Sequence, residues 1–101
     1  MDTKLLISEA KARFNHNSAK AYLKDKYESK LIVAEQGGLW KATPELLGFL
    51  ASSTSTNVVL IDTFENPVQV DRAQLYIVLE KTYTDTMQLW YSEWKELESK
   101  R

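Results

Sequence analysis

Apolar residues change their spacing several times along this chain, and each spacing predicts a different element. Leu6, Ala10 and Phe14 recur every four residues near the N-terminus, which is typical of a helix. Residues 15–17 (Asn-His-Asn) favour a turn and predict an interruption, after which a second helical pattern follows. The pattern does not decide whether residues 3–30 form one helix or two.

Short apolar runs in the middle of the chain predict two hairpins. Residues 31–34 and 39–42 flank Gly37-Gly38, and a glycine pair suits a tight turn because both central residues of a type I′ turn need positive φ. Residues 58–61 are continuously apolar, which predicts a central strand buried on both faces. Residues 68–70 alternate as an edge strand would. We therefore expect an antiparallel sheet of about four strands.

Capping residues mark two further helices. Thr43 followed by Pro44 predicts the start of a short helix, since the hydroxyl can cap and proline is tolerated at the first helical position. Asp71 similarly predicts a helix over about 71–99. At ~1.5 Å per residue, the length of this helix far exceeds the ~13 Å radius of gyration of a compact domain this size, so the helix should extend beyond the domain. The chain is expected to be one α+β domain over residues 1–101. It comprises an N-terminal helix or helix pair, a sheet of two hairpins and a partly overhanging C-terminal helix.

The C-terminal helix carries aromatic and apolar residues at alternating spacings of four and three, a single stripe of coiled-coil periodicity. Tryptophan and tyrosine are enriched at binding hot spots because they bury much area at low entropic cost. The alternative is that these residues pack within the same chain on Leu6, Phe14, Tyr22 or Tyr27. The interface reading predicts that a protein partner contacts Tyr83, Met87, Trp90, Tyr91, Trp94 and Leu97.

Charge and composition exclude several functional classes. The chain has 13 Lys and Arg against 14 Asp and Glu, and this balance argues against a general phosphate-backbone binder. Residues 1–30 have a net charge of +3 and residues 31–101 a net charge of −4, so a mildly basic patch is available to an acidic partner or another copy. Without cysteine there is no disulfide and no thiolate chemistry. No apolar run has the length of a membrane span or a signal peptide, so no membrane association is expected.

Residues capable of catalysis or metal binding are few and isolated. His16 is the only histidine, and it is expected in an exposed turn because a metal site would need further ligands. Asp62, Glu65 and Asp71 follow or precede predicted elements, but their spacing matches no ligand loop. Gly37-Gly38 separates two strands, whereas a phosphate-binding loop leads from a strand into a helix. We expect no enzymatic activity, no metal, no cofactor and no small-molecule substrate.

A second functional hypothesis is binding of single-stranded nucleic acid by a small accessory or transcription-modulating protein. Lys20, Lys24 and Lys26 would supply positive charge, and Trp40 would supply a ring on which a base can stack. The acidic remainder of the chain disfavours this hypothesis relative to a protein partner.

Two segments resemble small uncharacterised proteins of T-even-like tailed phages, particularly those infecting marine cyanobacteria. They are residues 37–46 (GGLWKATPEL) and 61–72 (IDTFENPVQVDR), followed by the aromatic helix. The resemblance covers roughly residues 30–101 and brings no catalytic residues, since its motifs are turns and caps. It implies a phage context, in which small accessory proteins often bind virion components or host machinery. We therefore expect a non-enzymatic interaction or structural protein of the virion or its assembly. It would form a homo-oligomer or larger assembly and be found in the virion or the host cytoplasm.

Overall fold

The N-terminal segment of this chain is a single helix. The computed structural model describes the backbone of residues 3–100 and the side chains of residues 15–100. Helix α1 runs without a break over Thr3–Lys30, so the interruption predicted at residues 15–17 is wrong. Asn15 and Asn17 are exposed, and a helical asparagine costs at most about 0.7 kcal/mol relative to alanine. Packing of α1 against the C-terminal helix offsets this small cost.

Two antiparallel hairpins and a short helix connect α1 to a second long helix. After α1, the elements in chain order are β1 (Ile32–Glu35), β2 (Gly38–Lys41), α2 (Pro44–Ser52), β3 (Asn57–Ile61), β4 (Pro67–Asp71) and the long helix α3 (Arg72–Ser99). Strand β1 pairs with β2 so that Val33 lies opposite Trp40, and β3 pairs with β4 so that Val58 lies opposite Val70.

The α+β class is confirmed, but the single four-stranded sheet is wrong, because the hairpins form two separate two-stranded sheets. They meet through isolated bonds instead of a ladder. The Thr63 N–H donates to the Leu39 carbonyl at 2.9 Å. The Gln36 side-chain amide accepts from the Asp71 N–H at 2.7 Å and donates to the Asp71 carbonyl at 3.2 Å. The Gln36 amide thus makes with Asp71 the two hydrogen bonds that the backbone of a neighbouring strand would otherwise make.

Strand β3 is correctly located, but its predicted burial on both faces is wrong. Val59 and Ile61 are each 64% exposed, whereas Val58 and Leu60 pack against the core. A run of apolar residues identifies a strand, and the number of its covered faces depends on elements elsewhere in the chain. Here only one layer covers the hairpin.

Both predicted helix caps are confirmed. The Thr43 hydroxyl accepts from the Leu46 N–H, and the Asp71 carboxylate accepts from the Gln74 N–H. Arg72, the first residue of α3, donates from its guanidinium to the Leu50 and Ser55 carbonyls, each at 2.8 Å. Since the last carbonyls of a helix lack intrahelical partners, this arginine joins the end of α2 to the start of α3.

The core lies where the hairpins and α2 meet the first half of α3. The molecule is much longer than it is wide, with extents of 66 × 24 × 19 Å, because α3 continues past the hairpins alongside α1. The buried core residues are Leu31, Trp40, Ala42, Leu50, Val70, Leu75 and Leu79.

The first hairpin turns at Gln36 and Gly37, one residue earlier than Gly37-Gly38. Both residues have positive φ, 51° and 82°, as a type I′ turn requires. Gly38 has another role within β2, because a Cβ built there would lie 2.5 Å from the Trp40 ring. The indole is 1% exposed and donates to the Glu35 carbonyl at 2.8 Å, so it cannot move aside.

Gly38→Ala should therefore destabilise the protein by about 1–3 kcal/mol, because the new methyl group overpacks a fixed ring. The matched control is Gly48→Ala in α2, where nothing lies within 4 Å of the added Cβ. That substitution should stabilise by about 0.5–1 kcal/mol, since alanine is the better helix former. Urea denaturation of both variants measures the difference. Equal effects of the two substitutions would contradict the close packing at Gly38.

The turn of the second hairpin is held by the carboxylate of Asp62, a residue that is 7% exposed. It accepts from the N–H groups of Phe64 and Asn66, each at 3.0 Å, and from the Leu39 N–H of the other hairpin at 3.2 Å. These bonds favour the ionised form, and the Asn66 N–H contributes most to lowering the pKa of Asp62. Asp62 thus holds its own turn and the contact between hairpins.

Because its folded-state pKa is lowered, Asp62 stabilises the fold above its unfolded-state pKa of about 3.9 and loses this contribution as pH falls through the folded-state value. Asp62→Asn should lower the thermal midpoint by several degrees at neutral pH. The difference in thermal midpoint between variant and wild type should begin to narrow below about pH 4, where Asp62 of the unfolded chain becomes protonated, and should keep narrowing as pH falls through the lower folded-state pKa. Thermal melts at neutral and acidic pH check this. A difference in thermal midpoint that stays constant with pH would show that the negative charge of Asp62 is unimportant.

Candidate functional site

Helices α1 and α3 form an antiparallel pair beyond the hairpins. Tyr27 of α1 stacks on Trp90 of α3 with ring centroids 6.1 Å apart and planes inclined by 12°. Further along, the His16 Nε2 lies 3.4 Å from a Glu98 carboxylate oxygen. Leu23 and Tyr27 are buried in this pair. The apolar residues along which α1 and α3 contact each other are called the seam here. It is narrow and has charged residues on either side, which is the pattern expected for two paired helices.

One flank of the pair is fastened by the Glu93 carboxylate. Its Oε1 accepts from the Lys26 Nζ at 2.9 Å and from the Tyr27 hydroxyl. Lys26 is the largest cause of the lowered pKa of Glu93, followed by Tyr27, and the bond to Glu93 is the largest cause of the raised pKa of Tyr27. The Lys26 and Lys30 ammonium groups also lie 5.2 and 5.1 Å from the Tyr27 ring centroid. The polar groups on this flank are therefore bonded to one another.

The other flank holds an open groove of about 480 Å³ between the two helices. One wall is basic and comes from α1, and the other is aromatic and comes from α3. Each wall is built from residues four apart, which lie one above the other on a helix face. We call it the aromatic groove, and it is lined by Asn17, Lys20, Ala21, Lys24, Trp90 and Trp94.

Two aromatic side chains at the edge of the groove remain accessible. Trp94 is 37% exposed and Tyr91 is 58% exposed, and their rings stack with centroids 6.1 Å apart. The Lys95 ammonium lies 5.8 Å from the Tyr91 ring centroid. Stacking on a neighbour one helical turn away restricts the rotation of both rings, which reduces the entropy that binding would cost.

The six residues expected at an interface occupy different environments. Tyr83, Met87, Trp90 and Leu97 are half-buried along the seam, and Tyr83 packs against the core. Tyr91 and Trp94 are the exposed members. Of the alternative core partners, Tyr27 is buried against Trp90 and Tyr22 is 66% exposed, while the side chains of Leu6 and Phe14 lie outside the described ones.

The residues of the nucleic-acid hypothesis do not form one surface. Lys20 and Lys24 line the groove, whereas Lys26 is bound to Glu93. Trp40 is 1% exposed within the core, so its ring is not available for stacking on a base. The aromatic residues beside the lysines are Trp90 and Trp94, a juxtaposition that sequence reasoning missed. The repeated spacing of four was visible in each helix, but the pairing of α1 with α3 was not.

The isolated polar residues have structural surroundings. His16 lies inside α1 with only 11% of its side chain exposed, so its expected place in an exposed turn is wrong. Its Nε2 lies 3.4 Å from a Glu98 carboxylate oxygen, and among the described residues it has no hydrogen-bond partner. Asp62 organises a turn and Asp71 caps α3. Glu65 is exposed in that same turn with φ of 65°. Within residues 15–100, no three His, Asp or Glu side chains are grouped as a metal site would require.

Comparison of the chain with protein-family models, with curated proteins and with solved structures found no match. In the part of the chain that the structure describes, no helix is both long and apolar enough to cross a membrane.

Glu93→Gln should loosen the helix pair, because an amide carries no charge to pair with Lys26. We expect a thermal midpoint lower by a few degrees at neutral pH. Since the folded-state pKa of Glu93 is lowered, its contribution is present above about pH 4.3 and fades as pH falls through the folded-state value. The midpoints should therefore converge in acid. Glu96→Gln, at an exposed position on the same helix, is the control and should change little. An equal decrease in thermal midpoint in Glu93→Gln and Glu96→Gln would contradict a specific role for Glu93.

Proposed function

We propose that this chain is a non-enzymatic interaction or structural protein whose binding surface is the far part of the α1–α3 pair, around Trp94 and Tyr91. The observation that carries the proposal is the exposure of these two rings in a fixed stack, away from the core. The core closes around Trp40, Leu75 and Leu79 without them. An exposed tryptophan outside the core cluster is typical of an interface anchor.

The biological setting we propose is a phage virion or its assembly, with a homo-oligomer or a larger complex as the product. Support comes from the resemblance of residues 37–46 and 61–72 to small proteins of tailed phages. In this chain those residues form turns and helix caps, including the Thr43 and Asp71 caps. They therefore support a shared architecture, and the binding surface lies apart from them on the helix pair.

A second candidate is a small nucleic-acid-binding protein, and the placement of Lys20 and Lys24 beside Trp94 is the observation that favours it. A stacking ring next to positive charge is the basic unit of single-strand recognition. Against it stand the net charge of −1, the burial of Trp40 and the engagement of Lys26 by Glu93. Fluorescence anisotropy with a labelled single-stranded oligonucleotide separates the candidates, because such binding would weaken steeply with salt.

Trp94→Glu should abolish oligomerisation or partner binding while the fold is retained, because it places a charge in an apolar contact that the core does not use. Size exclusion with light scattering measures the assembly against the 11.6 kDa of one chain, and circular dichroism measures the fold. Tyr22→Glu is the matched control, since Tyr22 is 66% exposed on α1 outside the groove lining. If Trp94→Glu unfolds the chain, Trp94 belongs to the core and the proposal fails. It also fails if every assembly persists in the folded variant.

A further inference from the structure

We propose that the aromatic groove binds an acidic peptide segment of a partner protein. An apolar side chain of the segment lies against Trp94, and its carboxylates pair with Lys20 and Lys24. This inference rests on the proposed function and specifies the chemistry of the partner.

The charge of the groove wall selects an acidic ligand. Lys20 and Lys24 are exposed and lie one turn apart on the same face of α1. Among the residues whose side chains are described, neither makes an ion pair, whereas Lys26 is paired with Glu93 and Lys81 with Asp85. Two neighbouring ammonium groups without counter-charges repel each other, and carboxylates of a bound segment would relieve that repulsion.

The opposite wall selects an apolar anchor. Trp94 is supported by its stack with Tyr91, and Trp90 is supported by its stack with Tyr27. Both indoles line the groove, and Ala21 faces them with a side chain of minimal size, which leaves space open between the helices. Rings that are already stacked lose less side-chain freedom on binding, so an inserted apolar side chain retains more of its burial energy.

The size of the groove selects a segment instead of a folded surface. Its six lining residues are far fewer than the roughly 20–30 residues that each partner contributes to a standard protein–protein interface. Its volume of about 480 Å³ falls in the ~300–1,000 Å³ range of pockets that enclose small ligands. A second copy docked through this groove alone would bury too little area for a stable dimer. A short linear segment matches the dimensions.

Nucleic acid fits the groove less well than an acidic peptide. Lys26 lies on the other flank and is paired with Glu93, so it adds no charge to the groove. The Glu98 carboxylate lies beside His16 near the same helix ends. A phosphate backbone carries a charge at every nucleotide and needs an extended basic track. The two lysines of the groove, Lys20 and Lys24, match two carboxylates of a short peptide better than they match a continuous phosphate backbone.

The test uses the full chain and short fluorescein-labelled peptides with a central Leu-Phe pair, flanked by glutamates in one peptide and by lysines in the other. We expect fluorescence anisotropy to report binding of the glutamate peptide only, weakening as salt is raised. Lys20→Glu/Lys24→Glu should weaken binding about tenfold or more. Trp94→Ala should weaken it about 30-fold, as expected for an aromatic anchor. Lys41→Glu, an exposed charge reversal outside the groove, is the control and should retain binding.

Several results would overturn the inference. The glutamate peptide could fail to bind at low salt, or both peptides could bind equally. A single-stranded oligonucleotide could bind and be lost in the double lysine variant, which would assign the groove to nucleic acid. A dimer of the free chain that dissociates in that variant would assign the groove to a second copy. If the peptide test fails but Trp94→Glu still removes an assembly, only this inference falls. If Trp94→Glu leaves every assembly intact, the proposed function falls with it.

Discussion

The fold depends on one constraint, which is that neither hairpin can be stable by itself. A two-stranded sheet has too little area to bury, so each hairpin must place one face on another element. Helix α3 supplies that element, since Leu75 and Leu79 are fully buried under the strands and α2. Trp40 fills the space above them, and Gly38 exists in its strand because the indole occupies the position of a side chain there. The remaining contacts between hairpins, through Asp62 and Gln36, orient two sheets that α3 already holds together.

The same helix serves a second purpose beyond the hairpins. There its seam faces α1, and the Tyr27–Trp90 stack with the Glu93 bonds holds the two helices on one side. On the other side, Lys20, Ala21 and Lys24 line an open groove together with Trp90 and Trp94. The helix pair is therefore asymmetric, with one flank closed by the Glu93 bonds and the other open. The proposed acidic partner is inferred from this asymmetry and from the lysines on the open flank.

Sequence reasoning succeeded where the determinant is local. The caps at Thr43 and Asp71, the presence of both hairpins and the length of α3 all follow from residues within a few positions of each other. It failed where distant residues decide. The Asn-His-Asn segment is helical because α3 lies beside it, and Val59 is exposed because no layer covers that face. The stripe on α3 was recognised, but its division into a seam and the exposed pair Tyr91 and Trp94 depends on where α1 packs. No spacing within one helix contains that information.

The uninterrupted length of α3 sets the distance between two parts of the molecule. A helix of 28 residues is about 42 Å long and bends only gently. The hairpins and α2 pack near one end of it, and the aromatic groove lies towards the other. Arg72 ties the first end to the Leu50 and Ser55 carbonyls, and α3 continues from there without a break. The groove is therefore held at a set distance from the hairpins by one continuous helix.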